Sequence, residues 1–370
     1  MKKKQNKLIM FFFFLLAMVL GVFSGGTNVQ ATSGEYFLKP VGDNTDALNI
    51  DSGVYMIDGN PGQDVQLQLL VMNKASNTRK FMYMVNTAYT NNAGQIRYDK
   101  SKVTDSSLKI QAKDTASPQK QVFSVPGKTA ATLKFNITVP KKSFSGYLMG
   151  GVTVYPYKEK AKGTVSSNGT LIKNKFSYSI PIQIHQKGKE KEEAKYSVTA
   201  VRPGTMTASN GLKPGVLANV HNSTNAYTGT LDSKAVVTKK GDKKFKITTT
   251  AGDQNIAPTS NYNYEISWGD KTLQAGNYHL KLTYKTAGGI KGWTLNKDFT
   301  ITNNDAAKYN KLAGIKPNYL WLYILLAVLA LAIILGLGIY LGRRNNNKNN
   351  NGNNGNNNNN GGTQTRRRRR

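Results

Sequence analysis

Apolar and polar side chains alternate through the middle of this chain, and this pattern constrains the fold more than any other feature. Val65, Leu67, Leu69 and Val71 are spaced by two residues. Because a β-strand repeats every two residues, these side chains share one face of an extended backbone. Equivalent runs occupy 81–87, 133–139 and 176–184. No segment of this middle region has a convincing helical period, so we expect β structure throughout.

The C-terminal half of this region repeats the pattern. Strands are predicted at 196–202, 216–221, 235–238, 245–249, 262–268, 278–284 and 293–301. Short alternating strands of this kind are typical of an immunoglobulin-like sandwich. In the N-terminal half, Pro181 predicts that its strand lies at a sheet edge, because proline donates no ladder hydrogen bond. The predicted fold class is all-β, with two tandem immunoglobulin-like β-sandwich domains followed by a single transmembrane helix.

Two uncharged apolar segments flank the β region and predict where it is displayed. The first, 8–23, follows four lysines and precedes Val29-Gln30-Ala31, a small-x-small sequence. This arrangement predicts a signal peptide over 1–31, with a retained membrane anchor as the alternative. The second segment, 319–341, is long enough as a helix to cross a bilayer core of about 30 Å. A buried core helix is the less favoured alternative for it.

Basic residues after the second apolar segment predict the orientation of the chain. Arg343 and Arg344 follow it directly, and such residues stay on the cytoplasmic side. We therefore expect a single-pass cell-membrane protein with its ectodomain outside. The tail, 342–370, is rich in Asn and Gly, which predicts disorder. Its final arginines, 366–370, are interpreted as a tether to an anionic leaflet rather than a nucleic-acid site, and no nucleic-acid partner is expected.

The predicted ectodomain is strongly basic. Removing the 4 lysines of 1–31 and the 8 basic residues of 342–370 from the 51 Lys and Arg leaves 39, against 20 Asp and Glu, or a net charge of +19. Such a surface attracts polyanions, and the candidates outside a cell are anionic wall polymers, anionic lipids and acidic glycans. The chain has no cysteine, which suits a Gram-positive surface protein and excludes thiol catalysis and thiolate metal sites.

Residues that could carry chemistry are few and scattered. The three histidines, His185, His221 and His279, lie on separate predicted strands without the spacing of metal ligands. Asp43, Asp46, Asp51 and Asp58 lack the tight pattern of a calcium loop and are interpreted as solvated. A wall-processing hydrolase would need paired carboxylates or a metal, and neither is assembled here. We therefore expect no catalytic residue, no metal and no cofactor.

Aromatic and amide side chains offer a weak candidate binding site. Tyr89, Asn91, Asn92 and Tyr98 cluster around one predicted hairpin end. Tyrosine can stack on apolar sugar faces while its hydroxyl hydrogen-bonds, so these four residues are the predicted ligand contacts, with core packing as the alternative. Two long loops, 98–118 and 157–175, are further candidates, because loops of this length are often functional.

An ordered set of short elements resembles a known family. In 32–186 the set comprises Tyr55, Pro61-Gly62-Gln63, Asn73, Thr90-Asn91 with Gly94, Ile96 and Tyr98, and Phe144-Ser145-Gly146-Tyr147-Leu148-Met149-Gly150-Gly151. In 196–303 it comprises Arg202-Pro203-Gly204, Ala257-Pro258-Thr259-Ser260-Asn261-Tyr262, Gly276-Asn277-Tyr278, and Trp293 with Phe299-Thr300-Ile301. These elements resemble the WxL-interacting proteins of Gram-positive bacteria. The sequence at 46–50 and the Asn-rich, Arg-ended tail depart from the family pattern.

The resemblance implies a division of the chain and a function. It implies a peptidoglycan-binding domain over 32–186, a charged linker over 187–195, a host- or partner-binding domain over 196–303, and a stalk over 304–318. It implies a non-enzymatic, membrane-anchored scaffold that binds peptidoglycan and WxL-domain surface proteins, with host extracellular-matrix proteins as further candidate partners. The alternative is a host-directed adhesin whose wall contact, through teichoic acid, is only electrostatic. The family assigns no ligand residue by motif.

Overall fold

The computed structural model describes residues 35–159, 163–165, 171–173, 176–316 and 319–350 of the 370-residue chain. These residues form two compact units, one ending at Ala313 and one beginning at Gly314. The first is built mainly of β-strands and the second contains a long apolar helix, which confirms the predicted all-β class followed by one helix. The predicted signal peptide, part of the loop 157–175 and the final arginines lie outside the described residues.

The N-terminal half of the first unit forms two facing sheets. Its strands are β1 Tyr36–Val41, β2 Leu48–Asn49, β3 Tyr55–Gly59, β4 Asp64–Asn73, β5 Arg79–Thr87, β6 Tyr89–Thr90, β7 Ile96–Arg97, β8 Ala116–Ser117, β9 Lys120–Val125, β10 Ala130–Thr138, β11 Leu148–Pro156, β12 Gly163–Val165, β13 Leu171–Lys173 and β14 Tyr178–Gln186. One sheet has the order β1-β4-β10-β8 and the other β2-β3-β14-β11-β5-β9. A 3-10 turn, Ala112–Thr115, precedes β8.

The alternating residues of the N-terminal half build its core. Leu67 and Leu69 of β4 are completely buried, as are Phe81 and Tyr83 of β5 in the opposite sheet. The ring of Phe135, from β10, lies 5.5 Å from the ring of Tyr83. Side chains of the two sheets therefore interdigitate, and burying this apolar area is the main stabilising contribution. The runs predicted at 65–71, 81–87, 133–139 and 176–184 all coincide with strands.

One strand prediction was wrong. β14, which contains Pro181, is internal: it pairs antiparallel with β11 and parallel with β3. The pairing with β3 begins at Ile182 opposite Tyr55, one residue after the proline. Pro181 is tolerated because β3 makes no pairing at that position, although the strand as a whole is not at an edge.

The C-terminal half of the unit also forms two sheets. Its strands are β15 Tyr196–Ala208, β16 Gly211–Asn222, β17 Leu231–Lys239, β18 Asp242–Gln254, β19 Ser260–Ser267, β20 Gly276–Thr286 and β21 Gly292–Ile301, with a 3-10 turn at Ala287–Gly289. The sheets have the orders β15-β16-β19 and β18-β17-β20-β21. Each predicted strand of this half coincides with one of these. The hydroxyls of Tyr262 and Tyr284 share a buried hydrogen bond of 2.6 Å between the sheets. The immunoglobulin-like topology remains an interpretation that these sheets fit.

A short helix that was not predicted from the sequence closes the C-terminal half. It is α1, Asn303–Leu312, within the stretch predicted as a stalk. Thr302 accepts a hydrogen bond from the backbone N–H of Asp305 and so caps the helix. Asn310 donates to the carbonyl of Leu273 and accepts from its N–H, at 3.0 and 2.8 Å. Ala306 is the buried residue of α1, so the helix carries too little apolar periodicity to be predicted.

The second unit contains α2, Leu320–Asn350. Its segment Leu320–Arg343 is long and apolar enough to cross a membrane, by length and composition. This agrees with the apolar segment predicted at 319–341. The helix continues to Asn350, so the beginning of the tail predicted as disordered, 342–350, is helical.

Candidate functional site

The two halves of the β unit share a small apolar cluster. Ala88 and Met149 of the N-terminal half and Ala257 of the C-terminal half are buried together. Tyr98 and Tyr227 are among the partly buried side chains that pack against this cluster, one from each half. Because a shared buried cluster excludes water from the contact, the two halves dock on each other.

Hydrogen bonds fix the junction between the halves at several points. Thr90, in β6, shares a buried hydrogen bond of 2.9 Å with Ser260, and its hydroxyl also accepts from the N–H of Ala257 at 3.0 Å. The N–H of Asn255 donates to the carbonyl of Gly94 at 2.6 Å. A buried polar group without a partner is costly, so these bonds favour one docking geometry over others.

Asp105 anchors the loop 98–118 to the C-terminal half. Its carboxylate accepts hydrogen bonds from Asn261 Nδ2 at 2.6 Å and from His221 Nε2 at 3.0 Å. It also accepts from the hydroxyl of Ser107 at 2.6 Å. Burial by itself would raise the pKa of Asp105, but the bonds from Ser107, Asn261 and His221 outweigh burial and lower it. Asp105 is therefore an anion at neutral pH, and its carboxylate accepts hydrogen bonds from residues of the junction.

A groove of about 490 Å³ opens between the halves beside this anchor. The N-terminal half contributes 89–92, Lys100 and 102–105 to its lining, and the C-terminal half contributes 260–263. The hydroxyl of Tyr89 donates to Asp99 at 2.7 Å, and Lys100 Nζ lies 4.0 Å from the centre of the Tyr89 ring. Burial and the bond to Asp99 raise the pKa of Tyr89 to about 12, so its hydroxyl stays protonated at neutral pH. The groove is polar and carries two lysines.

The structure brings three of the four predicted ligand residues together in this groove. Tyr89, Asn91 and Asn92 line it, and Tyr98 does not. Tyr98 packs instead over Gly151, where an added Cβ would lie 2.6 Å from the Tyr98 ring. Burial raises the pKa of Tyr98, and its carbonyl accepts from Asn86 Nδ2 at 2.7 Å. Tyr98 therefore has a packing role at the junction and does not line the groove.

Sequence reasoning missed the other lining residues of the groove. Lys100, Lys102 and Asp105 belong to a loop that its length had marked as a candidate. The contribution of 260–263 comes from a strand more than a hundred residues away in sequence, and no local signal connects it with the hairpin. The resemblance did include Ser260-Asn261-Tyr262, without assigning a role to them.

Ser107, His221 and Asp105 lie together, but their geometry does not suit nucleophilic catalysis. Ser107 Oγ and Asp105 Oδ1 both approach the same ring nitrogen, Nε2 of His221, at 3.1 and 3.0 Å. In a catalytic relay the imidazole lies between the two groups and uses a different nitrogen for each. The three residues here form a structural hydrogen-bond network.

The other two histidines each contact an aspartate. His185 contacts Asp58 at 2.9 Å, and His279 contacts Asp298 at 2.6 Å. Asp51 accepts hydrogen bonds from Asn44 and Asn49, which lie close to it in sequence. Among the described residues, no group of three His, Cys, Asp or Glu side chains is placed to hold a metal ion.

Known structures give a weak likeness. The chain is similar to the E. coli chaperone DraB, at 14% identity and a TM-score of 0.29 over 72% of this chain and 95% of that one. It is similar to the YadV chaperone at 12% identity and a TM-score of 0.27, over 72% and 100% of the two chains. A chain from a chaperone-tip adhesin complex of CFA/I fimbriae gives 10% identity and 0.29, over 69% and 96%. These scores carry no argument about fold or function.

Family models give a specific result. Among proteins with curated descriptions, none matches this sequence. Residues 44–155 match the model of the WxL Interacting Protein, peptidoglycan binding domain. Residues 167–311 match the model of the WxL Interacting Protein, host binding domain. The two matches follow one another along the chain and together cover more than half of it, so this surface-binding protein belongs to the WxL-interacting protein family.

Proposed function

We propose that the protein is a non-enzymatic scaffold of a Gram-positive cell surface that holds peptidoglycan with its N-terminal half and proteins with its C-terminal half. The adjoining matches to a peptidoglycan-binding and a host-binding domain carry this proposal. WxL-domain surface proteins are the proposed companions on the same cell, and host extracellular-matrix proteins are the proposed external partners. Absence of enzyme activity is part of the proposal and is supported by matches to binding domains.

Sheet pairing supports a division of the β unit near the proposed linker, 187–195. The host-binding match begins at 167, yet β14, which lies within it, pairs with β11 and β3 of the N-terminal half. Tyr196 then begins the sheet of the C-terminal half. We therefore place the proposed peptidoglycan-binding domain at 32–186 and the partner-binding domain at 196–303, with α1 added to the latter.

The proposed anchor is the apolar part of α2. Leu320–Arg343 has the length and composition of a membrane span. Arg343 and Arg344 at its end favour a cytoplasmic tail and an external β unit. Display on the outer side would place both binding halves within reach of the wall, where several modest contacts on one chain strengthen each other.

An adhesin whose wall contact is purely electrostatic remains the second candidate. The net charge of +19 in the predicted ectodomain favours it, because a basic surface binds teichoic acid without a specific site. The salt dependence of wall binding distinguishes the two candidate functions. At about 0.5 M salt, charge interactions are screened within a few ångströms, whereas a specific glycan or peptide site retains its hydrogen bonds.

The test is co-sedimentation of the full chain, in detergent micelles, with purified peptidoglycan sacculi. Sacculi with and without teichoic acid are compared at about 0.05 and 0.5 M salt. We expect pelleting with stripped sacculi at both salt concentrations. Pelleting that needs both teichoic acid and low salt would reduce the wall contact to charge, as the electrostatic adhesin requires. Release of soluble wall fragments during incubation would contradict a non-enzymatic scaffold.

A further inference from the structure

We infer that the groove between the two halves is a composite binding site for a carboxylate flanked by amide carbonyls, the chemistry of the peptide stems of peptidoglycan. The inference rests on the proposed wall binding and adds a position and a ligand chemistry to it. The groove is lined by residues from both family matches, so neither match alone describes it.

Amide nitrogens of the groove are left free to donate. The side-chain oxygen of Asn92 accepts from the N–H of Asn263 at 3.2 Å, and that of Asn91 accepts from the N–H of Gln95 at 2.9 Å. The side-chain oxygen of Asn263 accepts from Asn219 at 3.3 Å. Within the described part of the chain, the Nδ2 atoms of Asn91, Asn92 and Asn263 have no acceptor. Each of these amide oxygens already accepts one hydrogen bond, whereas the N–H groups are unused, so the side chains mainly offer donors, which favour a ligand rich in acceptors.

The exposed charge of the groove lining is positive. Lys100 and Lys102 are exposed at its wall. The carboxylate in the lining, Asp105, has a side chain that is 2% exposed and bonded to His221, Asn261 and Ser107. A ligand entering the groove therefore meets two ammonium groups, whereas the exposed carboxylate beside them, Asp99, already accepts from the hydroxyl of Tyr89. Hydrogen bonds from ammonium and amide donors to a carboxylate are charge-assisted and stronger than those to a neutral group.

The size of the groove limits what it can hold. About 490 Å³ lies within the range of roughly 300–1,000 Å³ that small ligands occupy. This volume accommodates a sugar with a short peptide. A peptide stem carries free carboxylates beside a run of peptide carbonyls, whereas a glycan strand without peptide carries its lactyl carboxylates without such a run beside them. The donors and the charge of the groove thus favour the stem over the sugar strand.

The test uses the full chain in detergent micelles and isothermal titration with three defined wall fragments. These are a disaccharide-peptide with free carboxylates, the same fragment with its carboxylates amidated, and the peptide-free disaccharide with its lactyl carboxylate amidated. We expect the first to bind and the other two to bind about tenfold more weakly or less. Equal affinity for the free and amidated fragments would overturn the inference. Equally tight binding of glycerol phosphate would also overturn it, because the groove would then hold any anion.

Two variants localise the effect. Asn92→Asp keeps the oxygen that accepts from Asn263 but replaces the free amide donor by an anion, and Lys102→Gln removes a charge. Both variants are expected to bind the free-carboxylate fragment about tenfold more weakly than the parent chain does. The matched controls, Asn210→Asp and Lys120→Gln, make the same changes at exposed positions outside the groove and should bind like the parent chain. Unchanged affinity in both groove variants contradicts the inference.

Sacculi co-sedimentation run in parallel separates the two proposals. If stripped sacculi pellet the parent chain and both groove variants equally, wall binding holds and the groove is not its site. If stripped sacculi fail to pellet the parent chain, the proposed wall binding fails, and the composite site fails with it.

Discussion

Asn261 donates a hydrogen bond of 2.6 Å to Asp105, a residue 156 positions earlier in the chain and in the other half of the β unit. The same carboxylate accepts from His221 at 3.0 Å. One buried anion thus joins a loop of the N-terminal half to β16 and β19 of the C-terminal half. Because Asn261 and Asp105 both line the groove, the contact that docks the halves also sets the shape of the candidate site.

Replacing Asp105 should loosen this junction. Asp105→Ala leaves His221 and Asn261 without their shared acceptor, and losing hydrogen bonds to a charged, partly buried acceptor costs about 1–3 kcal/mol. We expect a lower urea midpoint for the full chain in micelles, measured by tryptophan fluorescence. Asp46→Ala is the control, since Asp46 is exposed and lies outside the junction. Equal midpoints for the two variants would show that Asp105 does not stabilise the docked state.

Acidification should remove the same contribution. The pKa of Asp105 is lowered in the folded chain from its ordinary value of 3.8. A lowered pKa stabilises the fold fully above the ordinary value, and this contribution is lost as pH falls through the folded pKa, below 3.8. Urea unfolding of the parent chain and Asp105→Asn should therefore differ near pH 6 and converge on further acidification. If the difference in stability between the two chains did not depend on pH, the charge of Asp105 would not be the source of this stabilisation.

Gly146 should be intolerant of any side chain. It has a φ of +71°, and an added Cβ would lie 2.4 Å from the carbonyl oxygen of Asn225 in the C-terminal half. Gly53 has a similar φ of +77° with no atom within 4 Å, so it isolates the backbone cost of about 1–2 kcal/mol. We expect Gly146→Ala to destabilise the chain by about 1–3 kcal/mol more than Gly53→Ala, from overpacking at the junction. Similar unfolding midpoints for Gly146→Ala and Gly53→Ala would mean that the two halves are not in close contact at Gly146.

The short helix α1 should be part of the folded C-terminal half. Asn310→Ala removes both hydrogen bonds to the backbone of Leu273 and should cost about 1–3 kcal/mol. Asn304→Ala makes the same substitution at an exposed position of α1 and should be nearly neutral. Hydrogen exchange of the amide of Leu273 provides the measurement. Equal protection in both variants would indicate that α1 detaches readily, as the predicted stalk would.

Much of the fold followed from local patterns in the sequence. The alternation at 65–71 and 278–284 identifies strands because a two-residue period puts one set of side chains on a single buried face. The apolar run at 319–341 identifies a long helix because its length matches a bilayer. The position of Pro181 and the helix α1 were not predictable in this way. The internal position of Pro181 depends on which strands pair with β14. The helix α1 is held by a single buried alanine and by two hydrogen bonds to a residue distant in sequence.

The candidate site likewise combines residues that local sequence predicted with residues that only folding brings together. Local sequence patterns were enough to predict the β class, the apolar helix, the basic charge and the hairpin that carries Tyr89, Asn91 and Asn92, because these depend on neighbours along the chain. The position of Tyr98 beside Gly151 depends instead on the folded chain. So does the groove that Asn261 and Asn263 complete with that hairpin. Docking of two cores joins residues with no local relationship, and the hydrogen bonds of Asp105 and Thr90, which select one docked geometry, exist only after both halves have folded.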